Sequence, residues 1–291
     1  MTSVQRVIEG RMRDLGNFAV RRVLPAAGMQ TVGPFIFFDH MGPAVFPVGQ
    51  GVDVRPHPHI GLATVTYLYE GAFMHRDSLG SAQVIRAGDV KWMVAGRGIV
   101  HSERTPAELR DFHGAARAHG IQTWVALPVA HEETEPSFEH HPAASLPKIR
   151  KPGVLLRVIA GDAWGRSSPV RVFSKTLYVD AAMEQGAGVD LPDEHDQRAA
   201  YVAIGQIMVD GAAHKPGQMI VFEPGRKVRI EATATSRIML LGGEPIDGQR
   251  SIWWNFVSSS RERIERAKAD WREERFPPVP DDPERIPLPE D

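Results

Sequence analysis

The stretch Gly51-Val52-Asp53-Val54-Arg55-Pro56-His57-Pro58-His59-Ile60-Gly61 sets two imidazoles two residues apart. In extended chain that spacing puts both side chains on one face, so His57 and His59 can share an ion. The same device recurs at His101-Ser102-Glu103, where an imidazole and a carboxylate would face the same barrel interior from another strand. Together they supply three neutral nitrogens and one oxygen. Such a set suits one divalent first-row ion (Fe(II), Mn, Cu, Ni or Zn) and leaves two octahedral positions for substrate or O2. A lone His-x-His is more often a packing or surface pair. The second pair and the glycines that frame both turn the balance toward a metal site.

Around these motifs the chain reads as all-β. Short β-branched or aromatic runs at residues 35–38, 63–69, 83–85, 90–94 and 123–127 are separated by Gly, Pro, Asn or Asp. A second series follows at 154–159, 170–179, 200–209, 219–222, 228–231 and 238–241. With 291 residues the chain can fill two barrels. The expected division is a metal-binding barrel over residues 1–130, a linker or crossing arm over 131–152, and a second barrel over 153–291. Residues 261–271 look helical, with Ile264, Ala267 and Trp271 at three- and four-residue steps. The Pro- and Asp-rich tail beyond Phe276 is expected to wrap or fray.

Composition excludes several functions. Lys+Arg of 34 against Asp+Glu of 36 provides no field to draw in polyanions, so direct nucleic-acid binding is not expected. The chain has no cysteine, which excludes disulfides, thiolate ligands, iron–sulfur clusters and cysteine nucleophiles. A tight metal site must therefore use His and carboxylate. The N-terminal residues lack a signal-peptide stretch and no segment is apolar enough to span a bilayer, which makes the cytoplasm the expected location.

The remaining histidines carry less. His75, two residues from Asp77, reads as a hydrogen-bonded neighbour of the pocket rather than a ligand. The pairs His113/His119 and His140/His141 read as solvated loop residues. The second half keeps a barrel frame at Gly217 to Gly225, but Val228 occupies the place corresponding to His101, and His195 has no partner imidazole two residues away. The second barrel is expected to be structural.

The spacing matches the cupin pattern Gly-(x)5-His-x-His-(x)4-Glu-(x)6-Gly at Gly51, His57, His59 and Gly71, with Thr64 in place of the Glu. In the second cupin element, Gly96-Arg97-Gly98-Ile99-Val100-His101, Gly96 stands where Pro is usual. Glu103, two residues on, can replace the missing carboxylate. Longer blocks resemble the pirin family of that superfamily. They include Arg13-Asp14-Leu15-Gly16, Val32-Gly33-Pro34-Phe35, Pro56 to Gly61, Gly88 to Glu103 and Trp254-Asn255-Phe256-Val257. The resemblance covers nearly the whole chain. Lys91 departs from it, standing where the family often has Gln.

The resemblance implies a bicupin monomer with iron at the positions matching His57, His59, His101 and Glu103. Some members are similar to quercetin 2,3-dioxygenases, which open a flavonol ring with O2 and release carbon monoxide. Here Glu103 would also be the catalytic base for the flavonol hydroxyl. Others act as redox-sensitive regulators through a protein partner, the alternative reading. Phe46, Tyr69, Phe73, Met74 and Trp92 flank the ligands and either line an aromatic-accepting cavity or pack the core.

Overall fold

The computed structural model describes residues 2–16, 18–110 and 116–290. His113 lies outside them. The architecture is all-β, two cupin barrels with a short C-terminal helix, and the chain divides into two compact units.

The first unit is built on Ala144–Ile246 and takes in Met1–Arg13 and Arg21–His40. Its larger sheet runs in the order Val4–Glu9, Gln218–Phe222, Gln197–Ile204, Ser236–Gly243, Thr176–Met183, Val154–Ala163 and Lys148–Lys151. The N-terminal strand pairs antiparallel with a strand more than two hundred residues away, Val7 opposite Ile220. Aliphatic side chains such as Leu156, Val179, Val202, Ile220, Val228 and Leu240 fill the interior. Val228 is thus a core residue at the position where the other barrel carries His101. The run read as one strand over 200–209 is two, broken at Gly205 with φ +80°, and the run 170–179 is extended only from Thr176.

The second unit is built on Met41–Ala143 with Asp14–Val20 and Asp247–Asp291. One sheet orders Asp53–His59, Ile99–Arg104, Ala72–Asp77 and Ala82–Arg86. Asp53–His59 lies at its edge, where Pro56 and Pro58 are tolerated because their missing N–H groups face no partner strand. The other sheet includes Ser137–His141, Val90–Val94, Leu62–Glu70 and Ala116–Ala126 in that order.

The C-terminal helix Arg261–Arg272 belongs to this unit, not to the barrel it follows in sequence. Ser260 caps it by accepting from the Arg263 N–H at 3.2 Å. Its apolar stripe, Ile264, Ala267 and Trp271, packs on Ile60, Val100, Phe256 and Val279. The tail wraps: the Trp271 Nε1–H donates to the Ile286 carbonyl, and the Ile286 N–H donates to Pro56 O on the His57 strand. The span expected to be a linker contains two strands, Ser137–His141 and Lys148–Lys151. Both are short: Ser137–His141 is half-exposed throughout and so lacks alternation, and Lys148–Lys151, with one apolar residue in four, is too short and polar to mark a strand in sequence. Among the described residues no helix is long and apolar enough to cross a membrane.

Candidate metal centre

His57 and His101 face each other directly across the antiparallel pair Asp53–His59/Ile99–Arg104, and His59 stands opposite Ile99. Cross-strand partners on one face bring their side chains together, and the ring centroids follow. They are 4.4 Å apart for His57 and His101, 5.0 Å for His57 and His59, and 5.1 Å for His59 and His101. Beyond His101 the register slips by one residue on the proline-bearing strand, so Glu103 pairs with Val54. A bulge of this kind re-aims a side chain. Gly96 explains its own departure from the cupin pattern. Its φ is +50°, which proline cannot adopt, and a Cβ there would run into the Thr134 carbonyl.

The imidazoles are oriented for ligation. His57 Nδ1 lies 2.8 Å from Arg55 O and His59 Nδ1 3.2 Å from Asn255 O. A carbonyl only accepts, so each Nδ1 carries the proton and each Nε2 keeps its lone pair. His101 Nε2 is buried with no hydrogen-bond partner. Donor atoms of His57, His59 and His101 lie within 4.8 Å of one another. A second group, His75, His101 and Glu103, meets the same criterion and shares His101 with the first. The donor set fits a divalent first-row ion: buried neutral nitrogens, an unsatisfied ring nitrogen and a carboxylate at one end.

Glu103 is held from the facing sheet. Its Oε1 accepts from the Thr66 hydroxyl at 2.8 Å and from Lys91 Nζ at 3.0 Å. Burial pushes its carboxyl up, but Lys91, Thr66 and the neighbouring His75 outweigh this and hold it below the usual carboxylate range. Burial drives His59 and His101 well below the ordinary imidazole range, reinforced by neighbouring cationic groups. His57 is lowered too, by burial against the Arg55 carbonyl and the Glu103 charge. The cluster at neutral pH is therefore neutral imidazole beside ionised carboxylate.

This has a measurable consequence in the metal-free protein. A depressed folded-state pKa means that the unfolded chain takes up protons first as pH falls below the ordinary value of 6.5. The imidazoles' contribution is thus fully present above that pH and is lost on acidification, on the order of 1 kcal/mol per pH unit for each group. The melting temperature of metal-free protein should fall between pH 7 and 5, and fall less steeply in His57→Phe. Parallel curves would refute the neutral-imidazole assignment.

Among known proteins, the chain matches the Pirin family model over residues 17–125 and the Pirin C-terminal cupin domain over residues 178–277. A pirin-like protein of Caulobacter vibrioides is 52% identical over 99% of this chain and 100% of its own length. The chain belongs to the pirin family. A second relative, a Pseudomonas aeruginosa protein provisionally named quercetin 2,3-dioxygenase, is 36% identical over 93% of this chain and 84% of its own. The crystal structure of a quercetin 2,3-dioxygenase from Acinetobacter baumannii superposes with a TM-score of 0.90 at 34% identity, covering 98% of this chain and 94% of that one.

The sequence of this pirin points to the candidate pairs His57/His59 and His101/Glu103 but not to the residues that support them. Asn255, which orients His59, is 196 residues away. Trp124 sets its ring edge-on to His59 at 5.3 Å between centroids. Lys91, which the sequence marks only as a departure from the family, is fully buried beside His101 and Glu103; a lysine in the apolar run Val90–Val94 is the available signal. His75 is a neighbour as expected, with Nε2 2.9 Å from Asp77 Oδ2, but it is also within ligand reach. His119 is not a solvated loop residue. It is buried in Ala116–Ala126 against Tyr69, on a strand covered on both faces and so without alternation. His140 and His141 lie on an edge strand, half-buried, beside Asp89 and Glu139. Phe46 and Phe73 pack with Val20, Met41, Val52 and Leu68, the core reading of those two aromatics.

Proposed function

We propose that this protein is a metal-dependent dioxygenase that opens the ring of a quercetin-type flavonol with O2 and releases carbon monoxide. One divalent metal, Fe(II) foremost, would be held by His57, His59, His101 and Glu103. The observation that carries the reading is the meeting of three buried, neutral imidazoles, His57, His59 and His101, the last of which also groups with the buried, ionised Glu103 carboxylate. Likeness to the Acinetobacter baumannii enzyme over almost the full chain supports it. When bound, the metal would supply a Lewis-acidic, redox-capable centre for chemistry between an aromatic hydroxyl and O2.

The chain's own groups do the remaining work. The Arg55 and Asn255 carbonyls fix the His57 and His59 rings with Nε2 presented to the ion. Thr66 and Lys91 engage Oε1 of Glu103 and keep it ionised, which leaves Oε2 to accept the flavonol 3-hydroxyl proton. The walls of the cluster are buried, so charge in it is stabilised by fixed groups rather than by water.

The test is anaerobic reconstitution with Fe(II), then loss of flavonol absorbance and carbon monoxide release in air. Glu103→Gln should retain metal and lose on the order of 100-fold or more in kcat. Full turnover with metal-loaded Glu103→Gln would remove the base assignment. Stoichiometric metal in the wild type without turnover would refute the dioxygenase and favour a redox-sensing regulator acting through a protein partner.

A further inference from the structure

Lys91 stands inside the cluster. It extends from the middle of Val90–Val94, is fully buried, and places Nζ 3.0 Å from Glu103 Oε1, 3.0 Å from the Thr64 hydroxyl and 3.4 Å from His101 Nδ1. Its ammonium thus sits where the carboxylate and a ligand imidazole converge, beside the residue that replaces the usual cupin glutamate. Glu103 correspondingly groups with His75 and His101, whereas His57 and His59 group with His101 alone.

We propose that Lys91 is an internal cation that competes with the metal for Glu103, making this carboxylate a releasable fourth ligand on a three-imidazole centre. The inference rests on the metal-centre reading above and deepens it. Three effects act in the same direction. Without metal, the ammonium compensates a buried carboxylate that would otherwise be unpaired, which stabilises the empty site. With metal, the same ammonium repels the ion across a few ångströms of protein. An ammonium has no lone pair, so at His101 it can only donate to Nδ1. That places the ring proton on Nε2, the buried nitrogen left without a partner, so an ion taken at Nε2 must displace that proton.

The expected result is a gain on deleting a buried polar side chain, which a merely structural role would not produce. Co(II) affinity is measured by chelator competition at neutral pH for the wild type, Lys91→Met, Lys91→Gln and each combined with Glu103→Gln. Lys91→Met and Lys91→Gln should bind roughly tenfold to a hundredfold more tightly. At least about half of that gain, on a logarithmic scale, should vanish in the Glu103→Gln background, as a competition routed through Glu103 requires. Thermal shift on adding Co(II) should be larger in both single variants than in the wild type. Lys91→Gln keeps a polar group of similar reach and carries the test if Lys91→Met does not fold. Unchanged or weaker binding in the variants, with a metal-binding wild type, overturns this inference alone, as does an equal gain with Gln at position 103. A wild type that binds no metal overturns the metal centre, and this inference with it.

Discussion

Replacing His101 by alanine is expected to abolish stoichiometric metal binding while leaving the fold in place. His101 belongs to both ligand-competent groups, and its ring lies 4.4 Å from His57, 5.1 Å from His59 and 5.4 Å from His75. Its loss leaves two imidazoles on one strand and a carboxylate already engaged by Lys91 and Thr66. The fall in affinity should exceed the roughly 10–100-fold that follows loss of a supporting hydrogen-bond partner of a ligand. The metal-free protein should lose some stability from the cavity and from the lost Lys91 contact, offset in part because the variant also removes a buried ring nitrogen that has no partner. His75→Ala is the discriminating control. If the ion sits on His57, His59 and His101, His75→Ala keeps its metal; if it sits on His75, His101 and Glu103, that variant loses it. Elemental analysis after dialysis against limiting metal reads both, and a full metal complement in His101→Ala would refute the centre.

Arg250→Leu should destabilise the protein by about 3–5 kcal/mol, the range for breaking a buried ion pair from one side. The Arg250 side chain is fully buried, with Nε 2.7 Å from Glu132 Oε1. Its Nη2 donates to Leu127 O at 2.9 Å. Glu132 also accepts from the Ser258 hydroxyl and from the backbone and hydroxyl of Ser259. This knot ties the turn after Ala116–Ala126 to the segment that carries Asn255, so the partner of His59 depends on it. Without the guanidinium, Glu132 is a buried charge short of its counter-ion. The double variant Arg250→Leu/Glu132→Gln should recover a large part of the loss, because no uncompensated charge remains. Urea unfolding of the metal-free variants measures the cycle. A loss below about 1 kcal/mol in Arg250→Leu would mean that solvent already screens the pair.

Both expectations draw on features with unequal visibility in the sequence. His57, His59, His101 and Glu103 were legible because a strand repeats every two residues, so a two-residue spacing is already a statement about a shared face. Short β-branched and aromatic runs between turn residues likewise marked most strands of both series, and a different period, 3.6 residues, marked the stripe of the helix Arg261–Arg272. It failed for His119 and for Ser137–His141, where burial on both faces or on neither erases alternation.

What the sequence by itself determined is therefore local: which residues can be ligands, which runs can be strands, and that the fold must be all-β. Only the tertiary structure decided which segments meet. It paired Val4–Glu9 with Gln218–Phe222, set the C-terminal helix against Ile60 and Val100, and aimed Asn255 at His59. It also slipped the register that turns Glu103 and delivered Lys91 to it from the opposite sheet. Pairing between distant strands is chosen by the summed burial and hydrogen bonding of the whole barrel, so no window of neighbouring residues contains it.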